Sequence, residues 1–281
     1  MSPIDISRVV LITGCSSGIG HATALRLAGA GWRVYATARS LGSLTALGAA
    51  GCRTLVLDVD DEASMQAAVA TVMTEAGGIG VLVNNAGYSQ SGPIELIGIA
   101  RVRRQFETNV FGHIRLTQLV LPGMRARRQG RIINIGSMGG RLTCPGGGVY
   151  HATKYALEAL SDALRFEVAA FGIQVVLVQP GLIRSSFTRT VSANLDGLGS
   201  GTTGPYGPFI AEVDRITRES YEKGPMASLA GSPDAVAAVI ERALTARQPR
   251  ARYRVTASAT VLMSLRALLP DKVCDAFLAR A

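Results

Sequence analysis

A doubly wound α/β fold on a mostly parallel sheet is predicted by two features of this 281-residue chain. Short apolar runs alternate with longer amphipathic stretches, as in βαβ units around a buried sheet. A glycine-rich turn, Thr13-Gly14-Cys15-Ser16-Ser17-Gly18-Ile19-Gly20, joins the first run to the first amphipathic stretch. Strands are predicted over residues 8–13, 32–38, 53–57, 81–84, 131–135 and 173–179. Helices are predicted over 18–28, 62–75, 102–127 and 149–170, with a weaker one near 43–49. Right-handed crossovers then place ligand sites at the carboxyl ends of the strands.

After Pro180-Gly181 the pattern changes. Residues 191–208 are rich in glycine and proline and are predicted to form no regular element, and 182–230 is taken as a mobile lid over the substrate. Ser232-Pro233-Asp234 starts a helix with a capping residue and a proline at the first position. A last strand is predicted over 252–256, and an amphipathic segment broken by Pro270 runs over 261–281. The expected organisation is a single domain over 1–281. Residues 8–183 form its cofactor-binding and catalytic core, 182–230 its lid, and 231–281 its C-terminal helices and last strand. Core packing or a subunit contact is expected of the C-terminal segment; association with a membrane surface is the sharper, less favoured reading.

Composition narrows the function classes. The chain is 48% hydrophobic and long enough to bury a large core. Its opening residues lack a basic start followed by an apolar stretch, so neither a signal nor a transit peptide is expected. No apolar run reaches the length of a membrane span. Cys15, Cys52, Cys144 and Cys274 are scattered and form no metal-ligand spacing with His21, His113 or His151, which suits a reduced cytoplasmic protein without a structural metal. The net charge of +9 invites a nucleic-acid reading. However, the arginines cluster where helix ends and turns are predicted, and no aromatics interleave them as stacking platforms, so no nucleic-acid partner is expected. The phosphates of a dinucleotide account for part of the basic excess.

The glycine turn leads directly from an apolar strand into a helix. Glycines let the backbone approach a pyrophosphate, and the helix N-terminus offers it unpaired N–H groups and a positive dipole end. This makes the fold Rossmann-like, with Thr13, Gly14, Ser16, Ser17, Gly18, Ile19 and Gly20 as candidate cofactor-binding residues, although the Gly-x-x-x-Gly-x-Gly spacing departs from the commoner fingerprint. At the end of the second strand an acidic residue would hold a ribose 2′-hydroxyl, and an arginine would pair with a 2′-phosphate. The chain has Thr37-Ala38-Arg39 there, so NADP(H) is favoured over NAD(H).

Tyr150 and Lys154 are spaced to share one face of a helix, about one turn apart. An ammonium there is expected to lower the tyrosine pKa from its usual value of about 10. Ser137 stands upstream as a second hydroxyl.

Taken in order, Thr13-Gly14-x-x-x-Gly18-Ile19-Gly20, Asn84-Asn85-Ala86-Gly87, Ser137, Tyr150-x-x-x-Lys154 and Pro180-Gly181 resemble the short-chain dehydrogenase/reductase family over residues 8 to about 183. The detail around Leu11 to Gly20, with Ala38-Arg39, looks most like the 17β-hydroxysteroid and retinol dehydrogenase branch. The resemblance implies a catalytic tetrad of Asn109, Ser137, Tyr150 and Lys154. Tyr150 would be the acid/base, Ser137 would bond the substrate oxygen, Lys154 would also hold the nicotinamide ribose, and Asn109 would keep a water-linked proton path open. On its own residues, Asn109 in mid-helix either lets the helix bend around a water or faces solvent, and the solvent reading is preferred. The resemblance assigns Asp58 and Val59 to the adenine, and Asn85, Ala86 and Gly87 to its ribose and the adjoining sheet. Pro180, Gly181 and Ile183 would line the nicotinamide, and Ser185 stands where relatives often have threonine.

Met138, Leu142, Cys144, Val149, Leu182, Phe187 and the lid are the candidates for lining a substrate pocket, and their apolar character suits a lipophilic carbonyl or alcohol. Cys144 is expected as a small buried apolar residue, and His151 as surface or packing. Two rival readings are a dinucleotide-binding regulator without catalysis and a nucleotide-sugar epimerase or dehydratase. A homodimer or homotetramer is the family expectation, with 102–127 and 149–170 as the candidate pairing helices.

Overall fold

Seven strands form one sheet in the order β3-β2-β1-β4-β5-β6-β7, every neighbouring pair parallel. They are β1 (Val9–Ile12), β2 (Arg33–Ala38), β3 (Arg53–Val56), β4 (Val81–Asn84), β5 (Gly130–Ile135), β6 (Ile173–Gln179) and β7 (Arg252–Arg254). The structure is a computed structural model and describes residues 6–185, 191, 194–195, 204–222 and 225–278.

The inner strands β1 and β4 are almost wholly apolar because both faces of the sheet are covered there, whereas the edge strands β3 and β7 carry Arg53, Arg252 and Arg254 and are partly exposed. Alternate side chains feed two cores. Val10, Ile12, Val34, Val83, Ile133 and Val176 pack against α1 (Gly18–Gly29) and α8 (Pro233–Thr245). Val9, Leu11, Tyr35, Leu82, Ile132 and Val175 pack against α3 (Glu62–Ala76) and α5 (Gly112–Arg127). Each fully buried aliphatic side chain contributes about 1.5–3 kcal/mol. α3 begins where the Asp61 carboxylate accepts the Ala63 and Ser64 N–H groups, and α8 begins at Ser232, whose hydroxyl accepts from Ala235 N ahead of Pro233. The short α2 (Thr45–Ala49) and the long α6 (Gly148–Val168) stand where the sequence places helices.

Two segments depart from expectation. The helix expected over 102–127 is two helices, α4 (Ile99–Phe106) and α5, joined by a π-helical turn at Glu107–Phe111. The join lies against the loop after β3, where a Cβ on Gly112 would stand 2.5 Å from the Val59 carbonyl oxygen. Inserted π turns are found mostly at functional sites.

The 182–230 stretch taken as a lid, in which no helix is predicted, contains α7 (Gly207–Glu222). Ile210 and Val213 bury one face against Val191, Leu195 and Leu96, while Arg215 pairs with Glu212 and Glu219, and Arg218 with Asp214, on the other. Asn194 Nδ2 donates to Ser89 O at 2.6 Å and Tyr206 Oη to Glu95 at 2.6 Å, which docks this segment on the loop after β4.

The C-terminal segment forms α9 (Ala257–Leu268) and α10 (Asp271–Leu278) on either side of Pro270. Their inner face is core: Ala259, Leu262 and Met263 pack with Leu142, and Cys274 is buried. No helix among the described residues is long and apolar enough to cross a membrane.

Candidate active site

The carboxyl ends of β1, β2, β4, β5 and β6 open into a cavity of about 860 Å³. On one side the turn after β1 bends through Gly14 (φ +70°) and Gly18 (φ +60°), left-handed conformations that favour glycine. It is strapped to the loop after β4. Thr13 Oγ1 accepts the N–H groups of Asn85 and Ala86, each at 2.9 Å, while Asn85 Nδ2 donates to the carbonyls of Thr13 and Gly14 at 2.8 and 3.1 Å. A Cβ on Gly20 would lie 2.5 Å from Asn85 Nδ2.

Thr13 and Gly20, expected as cofactor-binding residues, stand behind the cavity surface. Both are buried and neither lines the cavity. Thr13 ties two loops together, and Gly20 lets the helix start approach the turn.

Gly14, Ser16, Ser17, Gly18, Ile19, Asn85, Ala86 and Gly87 do line it, as do Arg39, Asp58 and Val59 at the far end. Arg39 is exposed and makes no hydrogen bond or ion pair with a described residue, and no carboxylate stands at the end of β2. An open glycine cradle and a helix N-terminus together fit a dinucleotide, with the Arg39 guanidinium at its far end.

His113, to which the sequence reading assigned no role, backs this wall. Its Nε2–H donates to the Ala86 carbonyl at 2.7 Å, and burial holds its pKa down to about 3, so it supports the loop as a neutral ring. Its position four residues after Asn109 was the available signal.

On the other side, β5 delivers Ser137 and α6 delivers Tyr150 and Lys154 into the same cavity. Ser137 Oγ accepts from Gly139 N at 3.0 Å and is hydrogen-bonded to the Tyr150 side chain. Lys154 Nζ donates to the Ile135 carbonyl at 2.8 Å and stands 5.7 Å from the centre of the Tyr150 ring. Burial pushes the Tyr150 pKa up to about 12, against a smaller lowering by Ser137, and pulls Lys154 down to about 8. The expected lowering of the tyrosine by the lysine is not seen in this arrangement, because desolvation outweighs a charge held 5.7 Å from the ring centre.

Asn109 lies in the π turn and is fully buried, so the solvent-facing reading is wrong. Its Oδ1 accepts Tyr88 N–H at 3.1 Å, and its Nδ2 donates to Tyr88 O at 3.0 Å and Thr153 Oγ1 at 3.1 Å. The side chain clamps the loop after β4 to α6.

Pro180, Gly181, Ile183 and Ser185 line the cavity beyond β6. This loop rests on the C-terminal segment, which the sequence reading did not connect with the site. Ser258 Oγ accepts from Leu182 N at 3.1 Å, and a Cβ on Gly181 would press on Ala259 N at 2.7 Å. Among the expected substrate-lining residues, Met138, Leu142, Cys144 and Leu182 line the cavity, Val149 does not, and Phe187 lies outside the described residues. Val213 and Ile216 of α7, Leu262 of α9 and Leu278 of α10 join them.

The family described as short chain dehydrogenase matches residues 8–196, which carry both walls of this cavity. The chain belongs to that family. The short-chain dehydrogenases are oxidoreductases that act on CH–OH groups with NAD(P), and this is the reaction class of the chain. It is similar to the NADPH-dependent 3-dehydrocapnine reductase of Ornithobacterium rhinotracheale, with 32% identity over 278 residues, 95% of each chain. It is also similar to human 17-beta-hydroxysteroid dehydrogenase type 1, with 37% identity over 274 residues, 92% of this chain and 80% of the relative. A crystal structure of a short-chain dehydrogenase from Streptomyces avermitilis superposes with a TM-score of 0.79 at 35% identity, covering 94% of this chain and 92% of the other.

Proposed function

We propose that the chain is an NADP(H)-dependent oxidoreductase that interconverts a lipophilic carbonyl compound and its alcohol, with Tyr150 as acid and base. The observation that carries this reading is that Ser137, Tyr150 and Lys154 share one cavity with the glycine turn and Arg39. When bound, the dinucleotide supplies or accepts the hydride. Ser137 Oγ and Tyr150 Oη hold the substrate oxygen, and Tyr150 delivers its proton there during reduction or takes the alcohol proton in the reverse direction. Lys154 keeps a positive charge behind the developing tyrosinate and reaches the nicotinamide ribose, and Asn109 positions the loop and α6 around them. Pro180, Gly181, Ile183 and Ser185 hold the nicotinamide end, with Asp58 and Val59 at the adenine.

Arg39 supports the choice of NADP(H), as does the named cofactor of the 3-dehydrocapnine reductase relative. The apolar wall of Met138, Leu142, Leu182, Val213, Ile216 and Leu262 suits a hydrophobic substrate, in keeping with a steroid dehydrogenase among the relatives. The test is turnover of a panel of ketones and aldehydes with NADPH and with NADH. NADPH should serve better by about 10- to 100-fold, the range of one charge-assisted bond to a phosphate, and Arg39→Ala should remove that preference while sparing NADH. Equal use of both cofactors by the unaltered protein would reject the assignment.

The two shifted groups also give a pH dependence. Tyr150, raised to about 12, keeps its proton through neutral pH, while Lys154, lowered to about 8, is cationic below that point and neutral above it. Reductive kcat/KM should therefore hold level from about pH 6 to 7.5 and fall above about pH 8 as the lysine loses its charge. A profile rising through this window would assign the limiting ionisation elsewhere.

Residues 182–230, including α7, serve as the lid in this reading, over the core of 8–183 and supported by the C-terminal elements of 231–281. A homodimer or homotetramer remains the family expectation.

A further inference from the structure

His151, next to the proposed acid/base, was expected to be surface or packing. Its ring instead lines the cavity and is wedged between two glycines. A Cβ on Gly147 would lie 2.9 Å from its Nδ1, and a Cβ on Gly139 would lie 2.9 Å from its Nε2. Neither glycine has a positive φ, so it is the imidazole that demands their small size.

Nδ1 accepts the Cys144 backbone N–H at 3.3 Å, which leaves the ring proton on Nε2. Burial, which lowers the pKa to about 4, keeps the ring neutral at working pH. Nε2 has no partner among the described residues, and it is not among the buried polar atoms cut off from the cavity. Its place relative to the reaction centre is also fixed. The point a Cβ of residue 139 would occupy lies 2.9 Å from Nε2 and 3.3 Å from Ser137 Oγ, and the His151 and Tyr150 rings are 5.5 Å apart between centres. His151 thus presents an oriented, neutral donor beside the hydroxyl that would hold the substrate carbonyl, next to the apolar Met138, Leu142 and Leu262 of the same cavity.

We propose that His151 is a specificity-determining residue whose Nε2–H reads a second oxygen on the substrate, one to three bonds from the reacting carbon, so that hydroxy- or oxo-substituted ketones are preferred over plain ones. The proposal rests on the carbonyl-reducing function above. A site built to hydrogen-bond a substrate oxygen discriminates against the analogue lacking it, because the site's own polar group is then buried unpaired. The reacting groups are untouched by this contact, which acts through binding and orientation.

The experiment compares two ketones of equal chain length, one carrying a hydroxyl on the carbon β to the carbonyl, using NADPH and four proteins: unaltered, His151→Phe, His151→Gln and His151→Ala. The unaltered protein should favour the hydroxyketone in kcat/KM by about 10-fold or more, the range of one buried hydrogen bond. His151→Phe, which keeps a ring between the glycines, should bring that ratio close to one while turning over the plain ketone within a few-fold of normal. His151→Gln, with a donor restored, should recover part of the preference. His151→Ala, which only removes atoms, gives the same reading if the phenyl ring disturbs the Cys144 turn. NADPH affinity should be unchanged throughout, and the preference should be flat from about pH 5.5 to 9, since a ring with a pKa near 4 stays neutral there. Equal losses on both ketones, or no preference in the unaltered protein, would overturn the role of His151. Continued turnover of the plain ketone would leave the oxidoreductase reading intact in either case.

Discussion

Tyr150→Phe is expected to lower kcat/KM for carbonyl reduction by about 10²- to 10⁴-fold, the usual contribution of a positioned general acid, with NADPH affinity little changed. The substitution removes one oxygen from a buried site and leaves the ring in place. Lys154 keeps its bond to the Ile135 carbonyl and Ser137 its bond from Gly139 N, so the cofactor wall is preserved. The carbonyl oxygen would then gain charge with only Ser137 to meet it. Parallel measurements of NADPH binding by fluorescence and of turnover separate the two effects. Full turnover in the phenylalanine variant on any good substrate would remove Tyr150 from its role.

Asn109→Ala should have the second largest effect, on both stability and rate. Three hydrogen bonds disappear, and the half-buried Tyr88 N–H loses its acceptor, whereas the Tyr88 carbonyl keeps its bond from Gln105 Nε2 at 2.6 Å. The unpaired, half-buried donor and the lost bonds together should destabilise the fold by about 1–3 kcal/mol, seen as a lower urea midpoint at unchanged slope. Turnover should fall as well, because the clamp holds the loop carrying Ala86, Gly87 and Tyr88 against α6. Asn109→Asp keeps an acceptor for Tyr88 N–H and should recover part of the stability. A variant as stable as the parent would show that the π turn holds its shape without this side chain.

The sheet was legible because its strands are buried on both faces, which leaves near-continuous apolar runs such as Val9 to Ile12 and Ile173 to Gln179. The cavity residues were legible where chemistry constrains local spacing: the glycines of the first turn and the one-turn offset between Tyr150 and Lys154. What the sequence hid depends on contacts between distant segments. Thr13 and Gly20 belong to the glycine motif, yet they serve the cradle through Asn85. The π turn breaks a stretch whose composition is helical throughout, and the close approach of Gly112 to Val59 has no local signature. The support that Ser258 gives to Leu182 spans a long separation in the chain and carries no motif.

α7 is a different case, since its pattern was readable. Ile210 and Val213 with flanking charges at helical spacing mark an amphipathic helix, and the glycines and prolines before it obscured that pattern. The pKa directions needed the burial of both side chains. A spacing shows that a lysine can reach a tyrosine, but it does not show that desolvation raises the tyrosine and lowers the lysine.

Hydride transfer between a nicotinamide and a carbonyl carbon is the central claim, and isotope tracing tests it most directly. The protein is supplied with a ketone and with NADPH carrying deuterium at both C4 positions of the nicotinamide ring, and the product alcohol is analysed by mass spectrometry and NMR. The label should appear on the carbinol carbon, one deuterium per turnover. A carbinol carbon bearing only solvent hydrogen would contradict it.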